Sequence, residues 1–328
     1  MPWSKFTKNN LKLFTKFKLS LDDNNSLVKY IIKERNDIKK FIKEKYKTFS
    51  ITLEKIAKHD DVFKFAKAKF VDTENLLKDM KCLNNIFKIT WNNNSIIIIT
   101  EEEIKINNRI KLIVFIIEYL KQKTNNNKDV KIYLILSRLE KKFPLNSKIM
   151  GVKNANSGYN DSINNIIFIW RKEEFEKVLF HELIHNFNLD KREQDVHDII
   201  NCNGPHLYFE AYTDFLGIIY HLIYLSLITN KKIISLLEYE LGFIKNQALT
   251  LNNILGNWIE SPNILIEQKT AAFSYYILKY LLFEYFMKNE FNDLTNYNEI
   301  LDNVLSNKFK IDRFIKLESS RMTLLQLK

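Results

Sequence analysis

Two histidines four residues apart, with a glutamate between them, interrupt an apolar stretch at Val178-Leu179-Phe180-His181-Glu182-Leu183-Ile184-His185. On a helix, residues i and i+4 project from one face, one turn apart. Two imidazoles and a carboxylate among aliphatic side chains are costly unless something partners them. A divalent metal ion shared by the two rings meets that need, so the segment predicts a buried helix that holds a metal.

The residue types suit zinc. A hydrolytic zinc site takes three protein ligands and keeps a fourth position for water. With His181 and His185 as ligands, Glu182 lies beside them and reaches the water rather than the metal. Zinc lowers the water's pKa towards about 7, and a carboxylate then accepts its proton and passes it to a leaving amine. Glu182 is the expected general base.

The third ligand has three candidates. Asp190 is one position short of the extended pattern HExxHxxGxxH/D, and Asn188 stands where that pattern has glycine. His206 follows Gly204-Pro205, a sound helix start because proline suits the first turn. Glu210 is the best placed, on a following helix that folds back over the first. Asp214 lies one turn beyond it and is positioned to orient a liganding imidazole through its second nitrogen. An oxyanion donor is also required. Tyr159, His197, His206 and Tyr212 are candidates, and His206, one turn before Glu210, is preferred. His59 and His221 are expected to be structural or exposed.

HExxH followed by a helix carrying Glu210-Ala211-Tyr212-Thr213-Asp214 resembles the gluzincin metallopeptidases, over roughly residues 160 to 220. The resemblance implies a sheet above the active-site helix and a helical lobe below it. It also implies that His181, His185 and Glu210 are ligands, Glu182 the base and Asp214 the orienting carboxylate. The 25 residues from His185 to Glu210 exceed thermolysin's spacing and require an inserted connection near Asp190 to Asn203. The aminopeptidase G-x-M-E-N signature is absent, which favours endopeptidase action. A fainter likeness is to zincin-like proteins of giant DNA viruses. In such folds the strand before the active-site helix is an edge that pairs with extended substrate. Here that segment is Ile166 to Trp170, with Phe168 at its centre, and the loop carrying Asn156, Ser157 and Gly158 is expected to line the groove.

The wider pattern predicts an α+β fold. Residues 1–84 read as a helical prefix without strand alternation. Residues 85–200 hold a hairpin (Ile86 to Trp91, Ile96 to Thr100), a helix near 110–121, strands at Val130 to Leu136 and Ile166 to Trp170, and the metal-binding helix. That helix is expected to start around Glu173 and to end near Asn186 to Asn188, because asparagine tolerates a left-handed cap. Residues 201–328 read as a helical lobe, with segments near 231–247, 262–288 and 296–315.

Lys and Arg number 50 against 39 Asp and Glu, a formal net charge of +11. The basic residues are dispersed, without arginine-rich runs or a helix-turn-helix cue, so a solvated lysine surface is favoured over nucleic-acid binding. A peptide or protein is the expected substrate. Two distant cysteines, Cys82 and Cys202, fit a reducing intracellular, cytoplasmic setting rather than a disulfide framework. No apolar leader is expected near Met1, and Phe215 to Thr229 is read as a core helix rather than a membrane span.

Overall fold

Strands 94–100 and 131–135 are built on the apolar runs Ile96-Ile97-Ile98-Ile99 and Ile132-Tyr133-Leu134-Ile135, and runs of that kind are stable only with both faces covered. The computed structural model of the chain bears this out and describes residues 3–14, 24–46, 48–57, 61–145, 147–190, 201–204, 207–261, 263–291, 297–306 and 315–328. In chain order the elements begin with α1 (Lys5–Phe14), α2 (Ser26–Lys45), β1 (Thr52–Lys55), α3 (Asp61–Phe65) and α4 (Thr73–Met80). The hairpin β2 (Asn85–Trp91) and β3 (Asn94–Thr100) follows, then α5 (Asn108–Lys123), β4 (Lys131–Ile135), α6 (Val152–Ala155), β5 (Gly158–Asp161), β6 (Ile166–Ile169) and α7 (Phe175–Asn186). Next come β7 (Cys202–Asn203), α8 (Phe209–Thr229), α9 (Ile233–Ile254), β8 (Ile266–Glu267), a π-helical turn (Ser274–Leu278), α10 (Lys279–Lys288) and α11 (Tyr297–Ser306). The fold is α+β.

Six strands form one mixed sheet in the order β1-β2-β3-β4-β6-β5. β3, β4 and β6 run parallel, and the outer strands pair antiparallel. Alternate residues divide the sheet's two faces. Ile96, Ile98, Leu134, Ile167 and Ile169 enter the main core with α5, α7 and α8, while Ile97, Ile99, Tyr133, Phe168 and Trp170 pack with Val62 of α3, Ala66 just after it and Leu76 of α4. The main core is continuous, including Phe14, Ile38, Leu183, Leu249 and Leu325.

Three expectations change. The 1–84 region is not wholly helical, because β1 pairs with β2 at the sheet's edge. Its largely exposed four residues carry no alternation to betray it. The strand before α7 is not the edge, because β5 pairs antiparallel with β6 and takes that place. Phe168 accordingly sits in the sheet interior, fully buried on the face away from α7, against Tyr133, Tyr159 and Trp170. Of the C-terminal helices, 262–288 contracts to the π-helical turn and α10, preceded by β8.

The helix α8 is long and apolar enough to cross a membrane, but 89% of its most apolar window is buried inside the fold. It packs against α7, and Gly217 permits the approach. A Cβ built there would lie 3.4 Å from the backbone N, Cα and Cβ of His181.

Candidate metal centre

The start of α7 is fixed by charge. Glu174, one residue before the helix, takes the left-handed conformation (φ 53°). Its buried carboxylate pairs with Lys141 and accepts the Met322 N–H. Glu173 accepts the Lys141 N–H at 2.5 Å and lies 3.3 Å from Arg321. Burial, reinforced by the neighbouring Glu174, raises the Glu173 carboxyl to about 7. Glu176, in the first turn, pairs with Arg109. The helix therefore begins at Phe175, just after the two glutamates expected at its start.

The other end turns as the asparagines suggested. Asn188 adopts φ 55°, its N–H bonds to His185 O at 3.1 Å, and the Leu189 N–H bonds to Ile184 O at 2.9 Å. This pair of bonds is a Schellman closure. It reverses the chain, so the Asp190 carboxylate returns to His185 Nδ1 at 2.5 Å and also accepts the Thr213 hydroxyl at 3.1 Å.

His181, His185 and Glu210 converge. Glu210 Oε2 is 3.2 Å from Nε2 of each histidine, and the three ligand atoms all lie within 4.8 Å of one another. The two 3.2 Å separations are close to the roughly 3.3 Å that a tetrahedral ion with bonds of about 2.0–2.1 Å sets between its ligand atoms, and the third, between the two imidazole nitrogens, is within 4.8 Å. Both Nδ1 atoms are engaged by carboxylates: His181 by Asp214 at 3.0 Å, His185 by Asp190. That leaves both Nε2 atoms facing Glu210, as metal ligation requires.

Burial opposes protonation of His185, but Glu210 and Asp190 outweigh it and raise the ring to about 10. His181 is raised for the same reasons, against burial, by Asp214 and Glu210. Burial also pushes Glu210 upward, yet the two rings hold it far below the usual carboxylate range. The cluster is thus a concentrated site for a cation. Glu182 is raised by burial, against the two histidines.

Asp214 has two further partners that sequence reasoning missed. Lys177 contacts its Oδ1 and Lys279 its Oδ2 at 2.7 Å, and both lysines are fully buried. Together they hold Asp214 well below its ordinary pKa, against burial. Lys177 was legible as a cation one turn before His181 in an apolar helix. Lys279, 65 residues from Asp214, had no local signal.

Glu182 and His181 border a small cavity of about 30 Å³ with Ser157, Gly158, Lys177 and Tyr275, enough for one or two waters. Gly158 gives close quarters here: a Cβ would lie 2.7 Å from Val178 Cγ1 and 2.8 Å from Glu182 Oε1, so one of them would have to shift. Asn156 borders the same cavity, but its side chain bonds to Thr270 at 2.7 Å and to Phe70 O at 3.4 Å. Phe168 does not reach the site.

Tyr275 is the tyrosine that does. It stands on the π-helical turn, its ring centroid 6.0 Å from that of His181, and burial together with the nearby Glu210, Glu182 and Asp214 holds its hydroxyl well above the ordinary tyrosine pKa. Single-turn π segments are frequent at functional sites, but nothing in the sequence singles Tyr275 out among 15 tyrosines. Tyr159 instead bonds Phe65 O at 3.3 Å and Tyr212 stacks on Phe215. His59, His197, Pro205 and His206 lie outside the described residues. His221 is buried against Thr323 and Tyr224, away from the cluster.

No family model matches this chain, and no curated protein or solved structure is significantly similar to it.

Proposed function

We propose that this chain is a zinc-dependent peptidase of the gluzincin type with a zincin-like catalytic unit, acting on peptide bonds within a chain. The observation that carries the reading is the convergence of His181, His185 and Glu210 beside Glu182, with a carboxylate behind each imidazole. A purely structural zinc site has no use for a glutamate at position 182.

A bound zinc ion supplies an acidified water and a Lewis-acidic partner for the scissile carbonyl. Glu182, raised by burial and bordering the same cavity as His181, accepts the water's proton and returns it to the leaving amine. Tyr275 is a further candidate donor to the oxyanion beside His206. Asp190 and Asp214 fix both rings with Nε2 inward. β5 ends the sheet beside the cavity, so its outer backbone groups are where an extended peptide would pair, over Gly158.

The test is metal content together with turnover of a quenched-fluorescent peptide library. One zinc per chain is expected, with Glu182→Gln abolishing hydrolysis and keeping the metal. Zinc without Glu182-dependent turnover would mean a binding rather than a hydrolytic role. Absence of stoichiometric metal would remove the reading altogether.

A further inference from the structure

A second cavity, of about 820 Å³, shares no lining residue with the one beside Glu182. Its volume falls within the roughly 300–1,000 Å³ of ordinary small-molecule sites. Its floor is the sheet face at Ile89, Ile96, Ile98 and Leu134, with Ile113 of α5 beside it. Trp3 and Leu327, which bridge to one another, line it from the two terminal segments.

The interior and the rim differ in chemistry. Ile96 and Ile98 pair in register with Ile132 and Leu134, so the floor's backbone groups are consumed by the sheet. Aliphatic side chains are all it offers above them. A peptide or sugar placed there would lose its hydrogen bonds to water without replacement, whereas an alkyl chain loses nothing. The rim is charged, with eight basic lining residues against four acidic ones. Most are already engaged: Arg138 with Asp79 and Glu101, Lys172 with Glu102, Arg321 with Glu173, Arg109 with Glu176 and Glu103 with Lys55. Among the described residues, Lys5, Lys8, Lys105 and Lys328 carry no ion pair, and Glu140 is the only lining carboxylate without one. All four lysines are exposed. The α5 helix starts at the same rim and adds the positive end of its dipole.

We infer that this cavity binds an anionic amphiphile of the long-chain carboxylate class, its alkyl chain over the isoleucine floor and its head among Lys5, Lys8 and Lys105. The site is independent of the metal centre, so its occupancy does not depend on zinc or on hydrolysis.

Calorimetric titration of the full chain tests this, with dodecanoate below its self-association concentration. Expected is one-to-one binding in the micromolar range, no binding of acetate, and at least tenfold weaker binding of dodecyltrimethylammonium. The combined variant Lys5→Glu, Lys8→Glu, Lys105→Glu alters only exposed positions, and an unchanged melting curve would confirm its fold. It should weaken dodecanoate at least tenfold and leave the cationic amphiphile as strong or stronger. Ile110→Trp, at a half-buried lining position, should weaken both by filling space. The inference is overturned if dodecanoate fails to bind, if the cation binds as tightly, or if the charge reversals leave its affinity unchanged.

Discussion

The carboxylate of Asp190 lies 2.5 Å from Nδ1 of His185, on the side of the ring opposite Glu210, five residues along the chain. A residue one position short of a known ligand spacing is thereby an orienting group, and the reason is the left-handed turn at Asn188. Asp190→Asn and Asp214→Asn should each weaken zinc about 10- to 100-fold, the usual effect of removing such a partner. Glu210→Ala should lose the metal. Competition with a chromophoric chelator measures all three. If Glu210→Ala keeps full zinc while Asp190→Ala loses it, the ligand assignment is wrong.

Gly158 offers a steric test that leaves every ligand in place. Its missing Cβ is what allows β5 to lie against Val178 and Glu182. In Gly158→Ala the new methyl must displace the Glu182 carboxylate or the strand. Displacements near 1 Å at a catalytic group cost about 100-fold. Hydrolysis should fall by about that factor with zinc content unchanged. Equal turnover in the variant would show that Glu182 does not act from this position.

What was legible follows the range of the physics. Helical periodicity ties His181, Glu182 and His185 to one face, and Glu210 and Asp214 to another, whatever surrounds them. Asn188 was legible as a cap because asparagine's backbone preference is local. The burial of Phe168 was not, because alternation gives β6 two faces and only the packing of α3 and α4 decides which one meets α7. β5 hides in an asparagine- and glycine-rich stretch too short to alternate. Lys279 and Tyr275 are brought to the site by the C-terminal lobe, across sequence distances no local pattern spans.

Lys279 is buried against Asp214, with Lys177 on the other oxygen. Burial lowers its pKa, partly countered by Asp214, and the second lysine lowers it further. Lys279→Met removes one charge and leaves Asp214 with a single cationic partner besides His181. Leaving a buried charge wholly uncompensated costs about 3–5 kcal/mol, and Asp214 keeps Lys177 and His181, so the loss should be smaller than that. Urea unfolding of the metal-free protein should show a loss of about 1–3 kcal/mol. A change within experimental error would show that Lys279 contributes little to the folded state.

His221 gives the pH dependence a sign. Burial, with Lys177 adding repulsion, lowers its pKa to about 3 in the folded chain, against about 6.5 when unfolded. Above pH 6.5 the ring is neutral in both states and its stabilising effect is fully present. As pH falls from 6.5 towards 3, the unfolded chain takes up a proton that the folded chain refuses, so stability is lost. One proton changes stability by about 1.4 kcal/mol per pH unit. Between pH 7.5 and 5.0 the wild type should therefore lose about 2 kcal/mol more than His221→Gln, which cannot take up that proton. Urea midpoints of both proteins at the two pH values measure the difference. Parallel losses in the two proteins would mean that His221 is not the group that titrates.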